Sequence, residues 1–377
     1  MANQTTGSRR PARTQRIAVA AAVVAALSTG VLAPATQAKP ASVAVHREQQ
    51  SPASVLRYWT PERMRAARPL EVSPPRTLAN GRSKQPPAGK PTATTRTAGP
   101  KISLPRDGTG LRRPVGGGLH PSWYGLELPW QIQSYGYAGS IGPVGRIWFM
   151  KPGGGWYVCS GTLVSANVVL TAAHCVRDGS TGSWYGRWVF VPAQYGYGYP
   201  YGTFTGRNAA VYSTWSSYPY NQVAGTDGEG YFPMDYAFIA LNRNSAGHNA
   251  GDYVGAFPIL MNAPKGNIYH LGYPVEGMWA GGCSSTTCWP WHCRADVQRY
   301  DLYAGGNWDE GMSCFDSGGS SGGPWFEYWN GRWYVVSVQS HMGIVHSDAN
   351  GHRYGLSFYG AYMNNSVGSL FAYASRL

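Results

Sequence analysis

Charged residues are scarce in this chain: they make up 13% of its 377 residues, and only 18 are acidic. A helix-favouring bias is missing too. In its place stand 50 Gly, 26 Tyr and 15 Trp, the make-up of many short strands joined by turns and hence of an all-β fold. Long apolar runs are absent after the first forty residues, so no later stretch can cross a bilayer as a helix. Cysteine is absent before Cys159 and after Cys314, which confines all six cysteines to the part expected to fold. The length suits about two domains, and 43% hydrophobic residues can bury a sizeable core.

The formal net charge of +13 invites a nucleic-acid reading, but its distribution argues otherwise. Residues 1–115 carry 19 Lys+Arg against 4 Asp+Glu, whereas 116–377 carry 12 against 14. The basic excess belongs to the N-terminal third, and no basic groove with interleaved aromatics is expected on the folded part. Residues 9–38 begin with arginines, continue through an apolar stretch from Ile17 to Ala33, and end in small residues at Ala38. This is the layout of a secretory signal peptide over 1–38, so a secreted, extracellular protein without stable membrane association is expected. Arg9-Arg10 has the look of a twin-arginine signal, but Pro11 weakens that reading.

From Lys39 to about Pro114 the chain is rich in Pro, Arg, Ala, Thr and Ser, too poor in apolar surface to offset the entropy of ordering. Residues 39–120 are therefore expected to be a basic, mostly disordered segment. Within it, SPASVLRYWTPERMRAARPL (51–70) mixes apolar and basic residues and has the makings of a short helix. A removable basic segment ahead of an exported domain reads as a propeptide; a permanent linker or wall-binding tail is the alternative.

From about Trp123 onward the texture changes to short runs bounded by Gly, Pro and Asn. Strands are predicted at 145–150, 156–165, 168–175, 187–192, 235–241, 267–274 and 332–340. About a dozen such strands over 121–377 fit two packed barrels or sandwiches. The Tyr/Gly stretch 195–204 reads as a surface loop.

Three clusters carry chemistry. In CSGTLVSANVVLTAAHC (159–175) a strand runs into a tight Ala-Ala turn that presents His174 at its end. A histidine acting as general base needs an acid to fix its tautomer and stabilise the imidazolium. Asp235 in MDYAFIAL heads an apolar strand and is the best candidate; Asp227, in a glycine-flanked loop, is the competitor. In FDSGGSSGGPW (315–325), Ser317, Ser320 and Ser321 compete for the role of nucleophile.

These clusters resemble the chymotrypsin-like (trypsin-like) serine peptidases. Thr171, Ala172, Ala173, His174 and Cys175 match the family's T-A-A-H-C, with a half-cystine upstream at the family's interval, so the resemblance implies a Cys159–Cys175 bridge. Asp235, Ala237 and Leu241 match the context of its aspartate. The family's nucleophile lies in G-D-S-G-G-P, and only Ser321 has a glycine two before it (Gly319) and Gly-Gly-Pro after it. The resemblance thus implies a His174–Asp235–Ser321 triad and an oxyanion hole from the N–H groups of Gly319 and Ser321. It covers about residues 130–370, with the motifs in the order His, Asp, Ser, and implies two packed antiparallel six-stranded β-barrels, about 130–245 and 246–370, with the active site between them.

One departure is informative. Ser320 stands where animal enzymes hold an Asp that pairs with the freed amino terminus, so that activation pairing is not available. GGSSGGP is closer to the bacterial secreted branch that includes the glutamyl endopeptidases. By the same resemblance, the strand at 335–343 lines the primary pocket, and Gln339, Ser340 and His341 are candidate substrate-binding residues. Gln339 falls where glutamyl endopeptidases place a histidine, and alternation puts His341 on the same side. Asp316 instead favours a basic side chain. These cues conflict, and no residue preference is predicted.

Cys283, Cys288, Cys293 and Cys314 allow three disulfide connectivities; with His292 they also make a candidate zinc set. Export favours disulfides, with Cys283–Cys288 and Cys293–Cys314 the preferred pairs and no metal. The expected protein is a secreted, monomeric serine endopeptidase acting on proteins or peptides, with no cofactor and no nucleic-acid partner. A catalytically silent binding protein of the same fold, and an esterase using the same triad, are the rival readings.

Overall fold

The computed structural model describes residues 42–70, 72, 86–94, 111–112, 130–132, 141–194, 198–217, 230–275, 290–303, 306–312, 314, 317–347 and 353–377. In chain order come strand β1 (Val43–Arg47), helices α1 (Pro52–Tyr58) and α2 (Pro61–Ala66), and four short strands. These are β2 (Arg68–Pro69), β3 (Thr92–Ala93), β4 (Leu111–Arg112) and β5 (Trp130–Ile132).

The first barrel is built from β6 (Val144–Met150), β7 (Trp156–Ser165), β8 (Val168–Thr171), β9 (Gly186–Pro192), β10 (Phe204–Tyr212) and β11 (Ala237–Leu241). Pairing runs β9-β6-β7-β8-β11-β10, and β10 returns to β9, so six antiparallel strands close on themselves. After the two-residue β12 (Leu260–Met261), the second barrel uses β13 (Asn267–Gly272), β14 (Trp291–Leu302), β15 (Trp308–Met312), β16 (Pro324–Trp329), β17 (Arg332–Ser347) and β18 (Arg353–Ala361). It closes in the order β13-β16-β17-β18-β15-β14, with β14 back on β13. Closure leaves few unpaired edges, which is how short strands rich in aromatic and β-branched residues avoid edge-to-edge association.

Alternation decides what each strand buries. Ile147 and Phe149 of β6, Cys159 of β7 and Trp188 and Phe190 of β9 fill the first barrel, together with Phe204 and Ile239. The second barrel holds Ile268, Trp325, Val336 and Phe358 around the Cys293–Cys314 bridge, whose Cα atoms are 6.0 Å apart. A further cluster, with Tyr212, Phe238, Phe257, Leu271 and Phe326, joins strands of both barrels, and the C-terminal helix Asn365–Ala374 packs Val367 and Leu370 on it.

Two expectations need adjusting, and one strand lies outside the predicted set. The disorder read from the composition of 39–114 does not describe residues 43–70. There β1 pairs with β10 over five residues, and α1 and α2 bury Val55 and Met64. Composition missed this because the ordering is tertiary: the segment borrows the barrel's apolar surface in place of a core of its own. The first barrel also begins at Val144, since Trp130–Ile132 pairs with β14 of the second. Strand β10 is absent from the predicted set because its middle, Gly206 to Ala210, carries no β-branched or aromatic residue. Cys283, Cys288, Asp227 and Asp316 lie outside the described residues.

Candidate active site

The pairing of β8 with β11 builds the first half of the site. Thr171, the last residue of β8, lies opposite Ala237, the first of β11. The turn leaving one strand and the turn entering the other therefore share one end of the barrel. His174 sits in the 3-10 turn Ala173–Cys175, and Asp235 closes the 3-10 turn Phe232–Met234. Cys175 is bonded to Cys159 of β7, which ties the histidine turn to the barrel wall. The two sulfurs near His174 are consumed by this bond and are not thiolate ligands.

Asp235 holds the imidazole at two points. Its Oδ1 accepts the His174 backbone N–H at 2.9 Å, and its Oδ2 lies 2.7 Å from Nδ1. The hydroxyl of Ser340, on β17 of the second barrel, donates to the same Oδ2 at 2.5 Å. Asp235 is fully buried, which pushes its carboxyl pKa up, yet the His174 charge and the hydrogen bonds from His174 and Ser340 outweigh that and hold it below the usual value. A carboxylate so held keeps a proton on Nδ1 and leaves Nε2 to act as the base. Nε2 is buried and has no hydrogen-bond partner among the described residues.

The second half is the turn 317–323. Gly319 has φ +101°, and a Cβ there would lie 2.8 Å from the Tyr273 carbonyl oxygen, so the position takes glycine for both backbone and space. Gly322, at φ +77°, packs against Thr171 and the backbone of Ser160 in the first barrel. Hydrogen bonds set the peptide directions. The Gly318 carbonyl accepts from Val275 N at 2.8 Å, and the Ser320 carbonyl accepts from Gly323 N at 2.7 Å. In a trans peptide the N–H points opposite the C=O, so the Gly319 and Ser321 N–H groups turn away from these partners. Neither donates a hydrogen bond to another backbone group among the described residues. The turn is anchored at its far end by Gly322 N to the Gln339 carbonyl (2.7 Å) and Gln339 N to the Gly323 carbonyl (2.8 Å).

Ser160 is a residue that sequence reading passed over. Its hydroxyl donates to the Gly319 carbonyl at 2.9 Å and accepts from Tyr273 N at 2.9 Å, while its own N–H reaches the Ser321 carbonyl at 2.7 Å. The serine loop is thereby hung on the first barrel. The sequence holds no local sign of this role, since Ser160 shares its strand with two other hydroxyl residues, Thr162 and Ser165. Arg146, also buried, donates to the Tyr273 carbonyl at 2.9 Å; burial lowers its pKa to about 9.

Ser317, Ser321, Gln339, Ser340 and His341 line one cavity. Strict alternation puts Gln339 and His341 on one side of β17, but a register shift between them gives their side chains different neighbours. The Gln339 amide is engaged by the protein, donating to the His341 carbonyl at 3.0 Å and accepting from the Trp325 indole at 3.4 Å. His341 stacks on Tyr359 and packs against Phe232, with Nδ1 at 3.1 Å from the Ser340 hydroxyl. Burial lowers its pKa to about 3, so it is neutral and presents no cation to an acidic side chain. Ser320 is buried, its hydroxyl packed close to Gly272.

Two closed barrels, with a buried histidine–aspartate couple on the first and a glycine-rich serine turn leading into β16 of the second, define the class of chymotrypsin-like serine peptidases. Residues 145–364, more than half of the chain, match the family model described as Trypsin, and the chain belongs to that family. Similar solved structures include the protease Anisep from Arthrobacter nicotinovorans, 27% identical with a TM-score of 0.49, covering 63% of this chain and 97% of that one. Another is the thermostable serine protease AL20 from an extremophilic microorganism, 26% identical with a TM-score of 0.49, covering 63% and 99%. A Glu endopeptidase in complex with MPD is 19% identical with a TM-score of 0.45, covering 63% and 92%. No curated protein matches the sequence.

Proposed function

We propose that the protein is a secreted serine endopeptidase, made with a signal peptide over residues 1–38 and a segment to about residue 120 ahead of the peptidase domain. The observation that carries this reading is the Asp235 carboxylate, bound at once by His174 Nδ1, the His174 backbone and the Ser340 hydroxyl. His174 Nε2 takes the proton of Ser321 Oγ as that oxygen bonds to the scissile carbonyl carbon, and the carbonyl electron pair moves to oxygen. The N–H groups of Gly319 and Ser321 receive the oxyanion. Collapse expels the amine, which takes the proton from His174 and leaves an acyl ester on Ser321. Water then repeats the sequence and frees the acid.

Apart from that water, every group these steps use belongs to this chain. The test is hydrolysis of a denatured protein by the processed enzyme and by its Ser321→Ala and Ser317→Ala variants. Peptide-bond cleavage that survives Ser317→Ala and disappears in Ser321→Ala is expected. Loss in Ser317→Ala with retention in Ser321→Ala contradicts the assignment, and turnover of acyl esters without any peptide cleavage contradicts the endopeptidase reading.

A further inference from the structure

Outward positions of a barrel strand ordinarily carry polar side chains, but one face of the first barrel does not follow this rule. Ile147 and Phe149 of β6 point inward, which turns Trp148 out; the same alternation turns out Val158 of β7 and Val189 and Val191 of β9. All four outward side chains are nonetheless 0% exposed. What covers them is the N-terminal arm: Val55, Trp59, Met64 and Ala67 pack on them as one cluster.

The arm also takes up backbone groups that the barrel leaves unpaired. Between β6 and β9 the ladder slips near Gly186, and Arg187 follows at φ +55°. Glu48 Oε2 accepts the Arg187 N–H at 2.6 Å, and the Trp59 indole donates to the Arg187 carbonyl at 2.6 Å, so both main-chain groups of this residue are held by the arm. The β1 strand pairs with Asn208–Tyr212 of β10, beyond the two residues through which β10 meets β9. Arg68 and Pro69 then run parallel to Tyr157 and Val158, directing the chain along β7. Past them, Val72 packs against the core cluster of the first barrel and lines the same cavity as Ser317, Ser321, Ser340 and His341.

We propose that the outer face of the first barrel is a docking surface for residues 43–72 of this same chain, and that the docked arm holds Val72 in the cleft beside Ser321. A cut between the arm and the peptidase domain leaves the arm bound; the cleft opens when the arm dissociates. The blocking role rests on the peptidase reading given above, whereas the docking does not.

The test uses the full chain with a processing-protease site inserted between Asn80 and Gly81. After cutting, the N-terminal fragment is expected to co-elute with the rest of the chain on gel filtration. Ser321 in the cut protein is expected to react with a fluorophosphonate at least tenfold more slowly than in the cut Val72→Gly variant, in which the fragment also co-elutes. Cut Trp59→Ala should release the fragment and label as fast as Val72→Gly. Because Trp59→Ala can fail to fold, Val72→Gly, which leaves the anchoring residues intact, carries the decision on blocking. Separation of the fragment from the cut parent protein overturns the docking surface. Co-elution with equal labelling rates in parent and Val72→Gly overturns the blocking role. Co-elution with no labelling in any form upholds the docking surface and overturns the peptidase reading together with the blocking role.

Discussion

Replacing Gly319 with alanine tests the oxyanion assignment at the point where the structure is least forgiving. The residue sits at φ +101°, where a side chain costs about 1–3 kcal/mol in backbone strain. Its new Cβ would also stand 2.8 Å from the Tyr273 carbonyl oxygen and 3.1 Å from Val275 N. Both neighbours are backbone and cannot swing aside, so the turn must shift. The shift falls on the peptide whose Gly318 carbonyl accepts from Val275 N and whose N–H is the proposed oxyanion donor. Losing one such donor lowers kcat by about 10²–10³, which corresponds to about 3–4 kcal/mol of transition-state stabilisation. The assay is steady-state hydrolysis of a peptide amide, with melting temperature measured alongside. The expected result is a kcat loss of that size with KM within about threefold, because the interaction forms only as charge develops on the carbonyl oxygen. A folded Gly319→Ala protein with kcat within threefold of the parent rules out the Gly319 N–H as an oxyanion donor. A rise in KM at constant kcat does so as well.

Other perturbations follow from the same contacts. Ser340→Ala removes one donor to Asp235 while leaving both His174 contacts, so kcat/KM should fall about tenfold, in line with a hydrogen bond to a charged group, and the acid limb of the pH profile should move up; an unchanged profile would speak against the role of Ser340. His292 is buried, and burial, with the charges of His270 and Arg294, lowers its pKa from 6.5 to about 4. As pH falls the unfolded chain takes up this proton first, so its contribution to stability is present above about pH 6.5 and is lost toward pH 4, amounting to about 3 kcal/mol. Urea unfolding of His292→Phe at pH 7 and pH 4.5 should therefore show a shallower acid loss than the parent; equal losses contradict the argument. Replacing Cys159 and Cys175 together by alanine opens a bridge of sequence separation 16, with an expected stability loss of about 3 kcal/mol in the same assay.

The parts of the molecule legible in sequence are those whose signal is local. A strand such as Trp156–Ser165 shows itself because its residues alone favour the pleated conformation, and His174, Asp235 and Ser321 stand in short motifs that contain their own turn chemistry. What stayed hidden depends on partners far along the chain. Ser160 acquires its place only when β7 meets the serine turn, and the Gln339 amide meets the Trp325 indole only once β16 and β17 pair. The N-terminal arm is the clearest case. Its composition lacks a core, and its order comes from Trp148, Val158, Val189 and Val191, roughly 80 to 140 residues away.

The assignment of Ser321, activated by His174, as the nucleophile is decided by locating the adduct of a fluorophosphonate on the processed protein by peptide mass spectrometry. A single adduct on Ser321, lost in His174→Ala, is expected. An adduct on Ser317 or Ser320, or labelling of Ser321 that proceeds equally well without His174, would contradict it.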